Sequence, residues 1–169
     1  MLNGNTMSSL EEKKLIYKYL SEISDPEIPV INIIEMGVVR DVLLHKEKLE
    51  IFITPTYSGC PAMDMIDQMI KDKLNNKGYE YVVVTLIYKP AWTTDWMSNK
   101  AKEKLRLYGI APPVGQAKSK KGLLNQENVI CPYCDSNDTE IKSMFGSTAC
   151  KAMYQCKKCL EPFDYFKCI

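Results

Sequence analysis

Histidine is nearly missing from this chain: there is one, His45, in 169 residues. It falls in a turn beside Lys46, where solvent is its expected environment. With no second histidine there is little from which to build a Ser/His/Asp or Cys/His relay, so ordinary hydrolase or cysteine-protease chemistry is not indicated. Long apolar runs are missing too. None approaches the roughly 20 residues of a membrane span, and the first residues show no charged-then-apolar leader pattern. The expectation is a cytoplasmic protein with no membrane partner. Nor is there an excess of either charge: 22 Lys and Arg stand against 21 Asp and Glu, a net charge of +1. That balance offers no patch to neutralise phosphates, so no nucleic-acid partner is expected. A glycine-rich phosphate loop is also absent, which argues against nucleotide use.

What is present is enough apolar material for a core, 46% of residues, and seven cysteines. In a cytosolic chain an odd set of that size reads as metal-binding or reactive rather than as a disulfide framework. The pattern divides the chain into an α/β domain over 8–110, a linker over 111–127 and a four-cysteine module over 128–169. Ser8 or Ser9 with Glu11 or Glu12 makes a capping box for a first helix reaching about Glu22. The acidic, two-proline turn Ser24–Val30 cannot be regular structure, and Ile31–Met36 is a helical turn or an extended link. Val38–Leu44 and residues 48–54 read as a hairpin. Tyr79–Tyr88 is a β-branched and aromatic strand, and Thr93 or Thr94 caps a last helix ending near Gly109. Trp96 on that helix is expected in the core. Trp92 and Tyr57 are open to two readings, core lid or exposed partner-binding surface.

The domain is organised around Leu49–Pro61. Leu49, Ile51 and Ile53 alternate with Glu50, Phe52 and Thr54 as a strand. Pro55 stops it, Ser58-Gly59 turns, and Pro61 suits a first helical position. Ala62, Met65, Ile66, Met69, Ile70 and Leu74 form a helical stripe closed by Gly78. Strand, helix and strand make a βαβ unit. Cys60 then lies at a helix N-cap, where free N–H groups and the helix dipole favour a thiolate. It is either a metal ligand or nucleophile, or a small buried hydrophobe.

The strongest chemical signal is Cys131-Pro-Tyr-Cys134 followed by Cys156-Lys-Lys-Cys159. Two such knuckles supply four thiolates to a tetrahedral site, with the strands between them forming a hairpin and Phe163, Tyr165 and Phe166 on a third strand. A module of this size needs the metal to fold. Closed coordination points to structural zinc; iron, accepted by the same thiolates, is the alternative. Cys150 and Cys168 lie outside the knuckles; each reads as a packed thiol before a ligand, with the ligand reading left open.

Asp25-Pro26-Glu27-Ile28-Pro29-Val30, Gly37-Val38-Val39 and Thr54–Pro61 together resemble the MIP18 family, also called domain of unknown function 59, which contributes to cytosolic iron–sulfur protein assembly. With Trp92–Met97, Phe145–Lys151 and Glu161–Phe166 added, the chain is similar to the D (or J) subunits of bacterial phenylacetyl-CoA oxygenases (1,2-epoxidases), over about residues 10–169. The resemblance implies an α+β fold, a MIP18-like domain with a βαβ unit followed by a zinc ribbon. It implies an accessory protein of phenylacetate degradation, not itself the oxygenase. Its partners would be oxygenase or reductase subunits and iron–sulfur assembly proteins, with a homodimer as a further option. Cys60 matches the family's functional cysteine, with Asp25, Glu27 and Thr54 in the motifs around it, and transient iron or an iron–sulfur cluster as its cargo. A docking subunit that handles no metal, or an enzyme using Cys60 as nucleophile, are the competing readings.

Overall fold

The computed structural model describes residues 9–45, 48–114 and 129–167. The fold is mixed α+β, built on two sheets. Helix α1 (Ser9–Leu20) precedes the acidic turn, and Asp25 N–H then bonds Ile31 O at 2.9 Å, closing that turn. The segment after it, open between helix and extended link, is a run of turns leading into strand β1 (Val39–Leu44). Strand β2 (Leu49–Ile53) pairs antiparallel with β1, helix α2 (Ala62–Asn75) crosses over, and strand β3 (Val82–Leu86) returns parallel to β2. This is the βαβ unit that the periodicity predicts. Helix α2 buries Ala62, Met63, Ile66, Ile70 and Leu74. Met65, counted on the buried stripe from sequence, is instead exposed, and Met63 takes its place.

The last helix differs from expectation. Thr94–Trp96 is one turn of 3-10 helix, and α3 (Asn99–Leu107) starts afterwards, where Ser98 Oγ accepts the Ala101 N–H at 3.0 Å. A serine with a free N–H three residues on is the better cap, and it displaces Thr93 and Thr94. Trp96 packs partly buried on the core, with the Arg40 guanidinium 3.4 Å over its ring. Gly37, at φ +76, lies under it; a β-carbon there would meet the Trp96 carbonyl oxygen at 2.8 Å.

The second sheet is formed by β4 (Ile110–Ala111), β5 (Thr139–Ser143), β6 (Lys151–Cys156) and β7 (Pro162–Phe166), in the order β4-β7-β6-β5. Strands β5, β6 and β7 are the expected ribbon. Strand β4 is not: it follows α3 directly and pairs in parallel with β7. Ala111, the first residue of the sequence-defined linker, is therefore inside the ribbon sheet, while linker residues 115–127 lie outside the described residues. Neighbouring residues on a strand point to opposite faces, and β4 and β7 exploit this. Ala111, Phe163 and Tyr165 enter the ribbon core, whereas Ile110 and Phe166 enter the core of the first domain. Phe166 is fully buried, with its ring 6.0 Å from that of Trp92.

Trp92 is 3% exposed and donates its indole N–H to Met36 O at 3.1 Å. That settles its two readings and removes it from any partner surface. We expect Phe166→Ala to cost about 3–5 kcal/mol, the usual range for deleting a buried aromatic ring. Chemical denaturation followed separately by tryptophan fluorescence and by zinc release should show both transitions moving together. Movement of zinc release alone would mean that the two modules are not coupled through this ring.

Candidate functional site

The four knuckle cysteines converge. Their sulfurs all lie within 4.8 Å of one another, with Cys131 and Cys159 3.7 Å apart and Cys134 and Cys156 3.6 Å apart. A tetrahedron with Zn–S bonds of roughly 2.3 Å has edges of about 3.8 Å, so the spacing fits a single tetrahedral ion. The two knuckles are built alike. Cys131 N–H bonds Ser136 O, and Cys156 N–H bonds Glu161 O, at 2.9 and 3.0 Å. Each is followed by a left-handed residue, Asp135 at φ 59 and Leu160 at φ 66, which turns the chain back. Backbone N–H groups of Cys159 and Lys158 hold the pKa of Cys156 down to about 6. The N–H of Glu161 favours a thiolate at Cys159, yet burial and the neighbouring thiols push it up to about 12. Four sulfurs this close cannot all ionise without a cation among them.

Cys60 sits in a different environment. The α2 N-cap is Pro61, so Cys60 is one residue outside the position expected from sequence. It is half-buried against the first core. Asp25, Glu27, Thr56, Cys60 and Cys150 share the lining of one narrow cleft with apolar residues including Met63. Asp25 is 6% exposed, and its Oδ1 accepts the N–H groups of Glu27 and Ile28 at 2.9 and 2.8 Å. It thus makes the turn and also faces the cleft. The expected softened thiolate is not found. Burial pushes the Cys60 thiol up; the Ala62 N–H and the Tyr57 hydroxyl pull the other way, while Glu27 and Asp25 add to the rise. Burial beside Cys60 and Glu27 in turn pushes Tyr57 up to about 12, so it remains a hydrogen-bond donor to the sulfur. One helix end does not outweigh desolvation and two carboxylates.

Two family models match the chain: "Iron-sulfur cluster assembly protein" over residues 13–86 and "PaaD zinc beta ribbon domain" over 115–167. The chain is 51% identical over 154 residues, 91% of its length, to the Escherichia coli protein named as the D subunit of 1,2-phenylacetyl-CoA epoxidase, covering 92% of that protein. The chain belongs to the epoxidase D-subunit family. It is also 32% identical over 98 residues, 57% of its length, to a Porphyromonas gingivalis protein named Fe-S protein maturation auxiliary factor, of which it covers 92%. The solved domain of unknown function 59 from Bacillus anthracis matches with a TM-score of 0.54 and 30% identity, over 60% of this chain and 97% of that one. The four converging thiols are accordingly the metal-binding cluster of the family's zinc ribbon.

Of the residues singled out from sequence, Cys60, Asp25 and Glu27 are brought together, and Cys131, Cys134, Cys156 and Cys159 form the second cluster. Thr54 is not at the cleft. It is 1% exposed at the end of β2, and Thr56 lines the cleft instead. Tyr57 is half-buried, packed against the core beside Cys60. Cys150, read from sequence as a packed thiol, is buried but also faces the cleft. Cys168 lies outside the described residues. The only hint of Cys150 in the sequence was its place in the tail motif Phe145–Lys151. Among the described residues no helix is long and apolar enough to cross a membrane.

Two outcomes follow. Protein purified without oxygen should carry one zinc per chain, and Cys131→Ser should lose it together with the ribbon's protection from hydrogen exchange. Because its pKa is raised, Cys60 should alkylate more slowly at pH 7 than a free cysteine, accelerating as pH rises past the ordinary thiol range. Iodoacetamide labelling read by peptide mapping checks this; a rate already constant below pH 7 would mean a resting thiolate.

Proposed function

We propose that this chain is a non-catalytic accessory protein of a phenylacetyl-CoA epoxidase system, and that it aids maturation of an iron or iron–sulfur centre through Cys60. The observation that carries this reading is the contrast between the two thiol sites. The ribbon site is closed by four sulfurs and releases its ion only by opening. Cys60 sits in a cleft with carboxylates at hand and leaves coordination positions for a recipient. The names of the two relatives support the same reading, one an epoxidase component and one a maturation factor. The partners are then the oxygenase or its reductase, and assembly proteins that supply iron.

The cleft also bears on nucleophilic catalysis. A thiol raised by burial, with no histidine beside it, is a poor resting nucleophile. A docking role without metal handling has one observation in its favour: Phe145 and Leu160 on the ribbon are each 68% exposed. Large apolar side chains in that state suit a protein contact. Docking and maturation are compatible, and one variant separates them. Epoxidase complex produced with the Cys60→Ser chain should assemble with normal subunit ratios but contain less than half the iron of the complex made with the unaltered chain. Full iron content with Cys60→Ser would leave docking as the whole function.

A further inference from the structure

We propose that Cys150, carried by the ribbon, is the second thiol of the Cys60 cleft, and that the two together take up a single thiophilic divalent cation of the ferrous class. The cleft is a composite of both modules. Cys60, Asp25 and Glu27 come from the first domain, and Cys150 comes from the residue immediately before β6. Although it belongs to the ribbon by sequence, Cys150 is 3% exposed within the first domain's core cluster, not the ribbon's. Strand β6 places it there: the backbone N–H of Lys167, just past β7, bonds Cys150 O at 3.0 Å and fixes it at the sheet end nearest Phe166. The Thr148 hydroxyl lies 3.0 Å from its sulfur.

Size and charge select the ligand. The free space in the cleft is about 10 Å³, near the lower limit for one water molecule. It admits one ion and no preformed cluster. Binding replaces two thiol protons: Cys60-SH and Cys150-SH with M²⁺ give the dithiolate complex and two released H⁺. The dithiolate cancels the metal's charge. Burial pushes the carboxyls of Asp25 and Glu27 up, and Lys151, itself 4% exposed, works against that rise at both; Glu27, on the same lining, is the candidate third ligand. Among the described residues no three of these ligand atoms converge as the ribbon four do. The set is gathered but unclosed, which suits an ion that arrives and leaves. The P. gingivalis maturation factor matches over 98 residues, 57% of this chain and 92% of its own length. The second thiol is then what the ribbon adds to the Cys60 cleft.

The proposal rests on the maturation reading only for the choice of iron; the cation site is tested on its own. Full-length protein holding one zinc per chain is titrated with Co²⁺ without oxygen, so that the ribbon is already filled and the cleft is still open. One further Co²⁺ should bind, with a sulfur-to-cobalt charge-transfer band of two-thiolate intensity and release of two protons. Cys150→Ser and, as a check on folding, Cys150→Ala should each halve the band and weaken binding at least about tenfold, since even supporting residues around a metal are worth 10–100-fold. Zinc content and thermal midpoint identify a variant that has not folded, and the band intensity of the unaltered protein then decides alone. No second cobalt, a one-thiolate band, or a Cys150 variant indistinguishable from the parent would overturn the proposal. None of these touches the maturation reading, which stands or falls on the iron content of the epoxidase. A two-thiolate cobalt site in a protein whose Cys60→Ser form still yields fully loaded epoxidase would sink the maturation reading and leave the cation site intact.

Discussion

Adjacent residues of a strand must face opposite ways, and the junction of this protein depends on that constraint. Tyr165 packs in the ribbon core and Phe166, one position later, in the core of the first domain. Ile110 and Ala111 repeat the split on the neighbouring strand. A ribbon held only by its metal would be a bead on a tether. Here the parallel pairing of β4 and β7 makes one strand pair the wall of two cores, so the four-cysteine module is a fixed part of the molecule. The Cys60 cleft shares in this, because Cys150 on its lining belongs to the ribbon.

The two thiol sites show how the same functional group is tuned by its surroundings. In the ribbon, backbone N–H groups aim at the sulfurs from two knuckles of matching geometry, and crowding makes a cation the natural resolution. At Cys60 a single N–H and a tyrosine hydroxyl work against burial and two carboxylates, and burial wins. The first arrangement favours permanent occupancy. The second keeps a protonated thiol in reserve until something replaces the proton.

What could be read in the amino-acid order was what local chemistry determines. The Cys-x-x-Cys pairs declare a tetrahedral site because spacing alone brings their sulfurs together. The alternation in β2 and the stripe along α2 declare a βαβ unit through periodicity. Cys60 with Asp25 and Glu27 was legible through family motifs rather than through any rule of spacing. Strand β4 was not legible, since a two-residue strand has no period and exists only because β7 offers it an edge. Thr93 and Thr94 read as the caps of the last helix, and only the backbone path of the 3-10 turn moves its start to Ser98. Trp92 and Cys150 were ambiguous for a shared reason: burial of each depends on residues from distant parts of the chain, Phe166 in one case and the Cys60 cleft in the other.

The segment between the modules has a consequence for how the protein can be handled. Ala111 on one side and Val129 on the other both lie in the ribbon core. The residues between them therefore leave from and return to the same body, and the junction itself is made by β4, upstream of the excursion. Its length carries no geometric information about how the domains meet. A chain cut between Ala111 and Val129 would still hold its two fragments together as a non-covalent pair, through the pairing of β4 with β7 and the ribbon core that both fragments share.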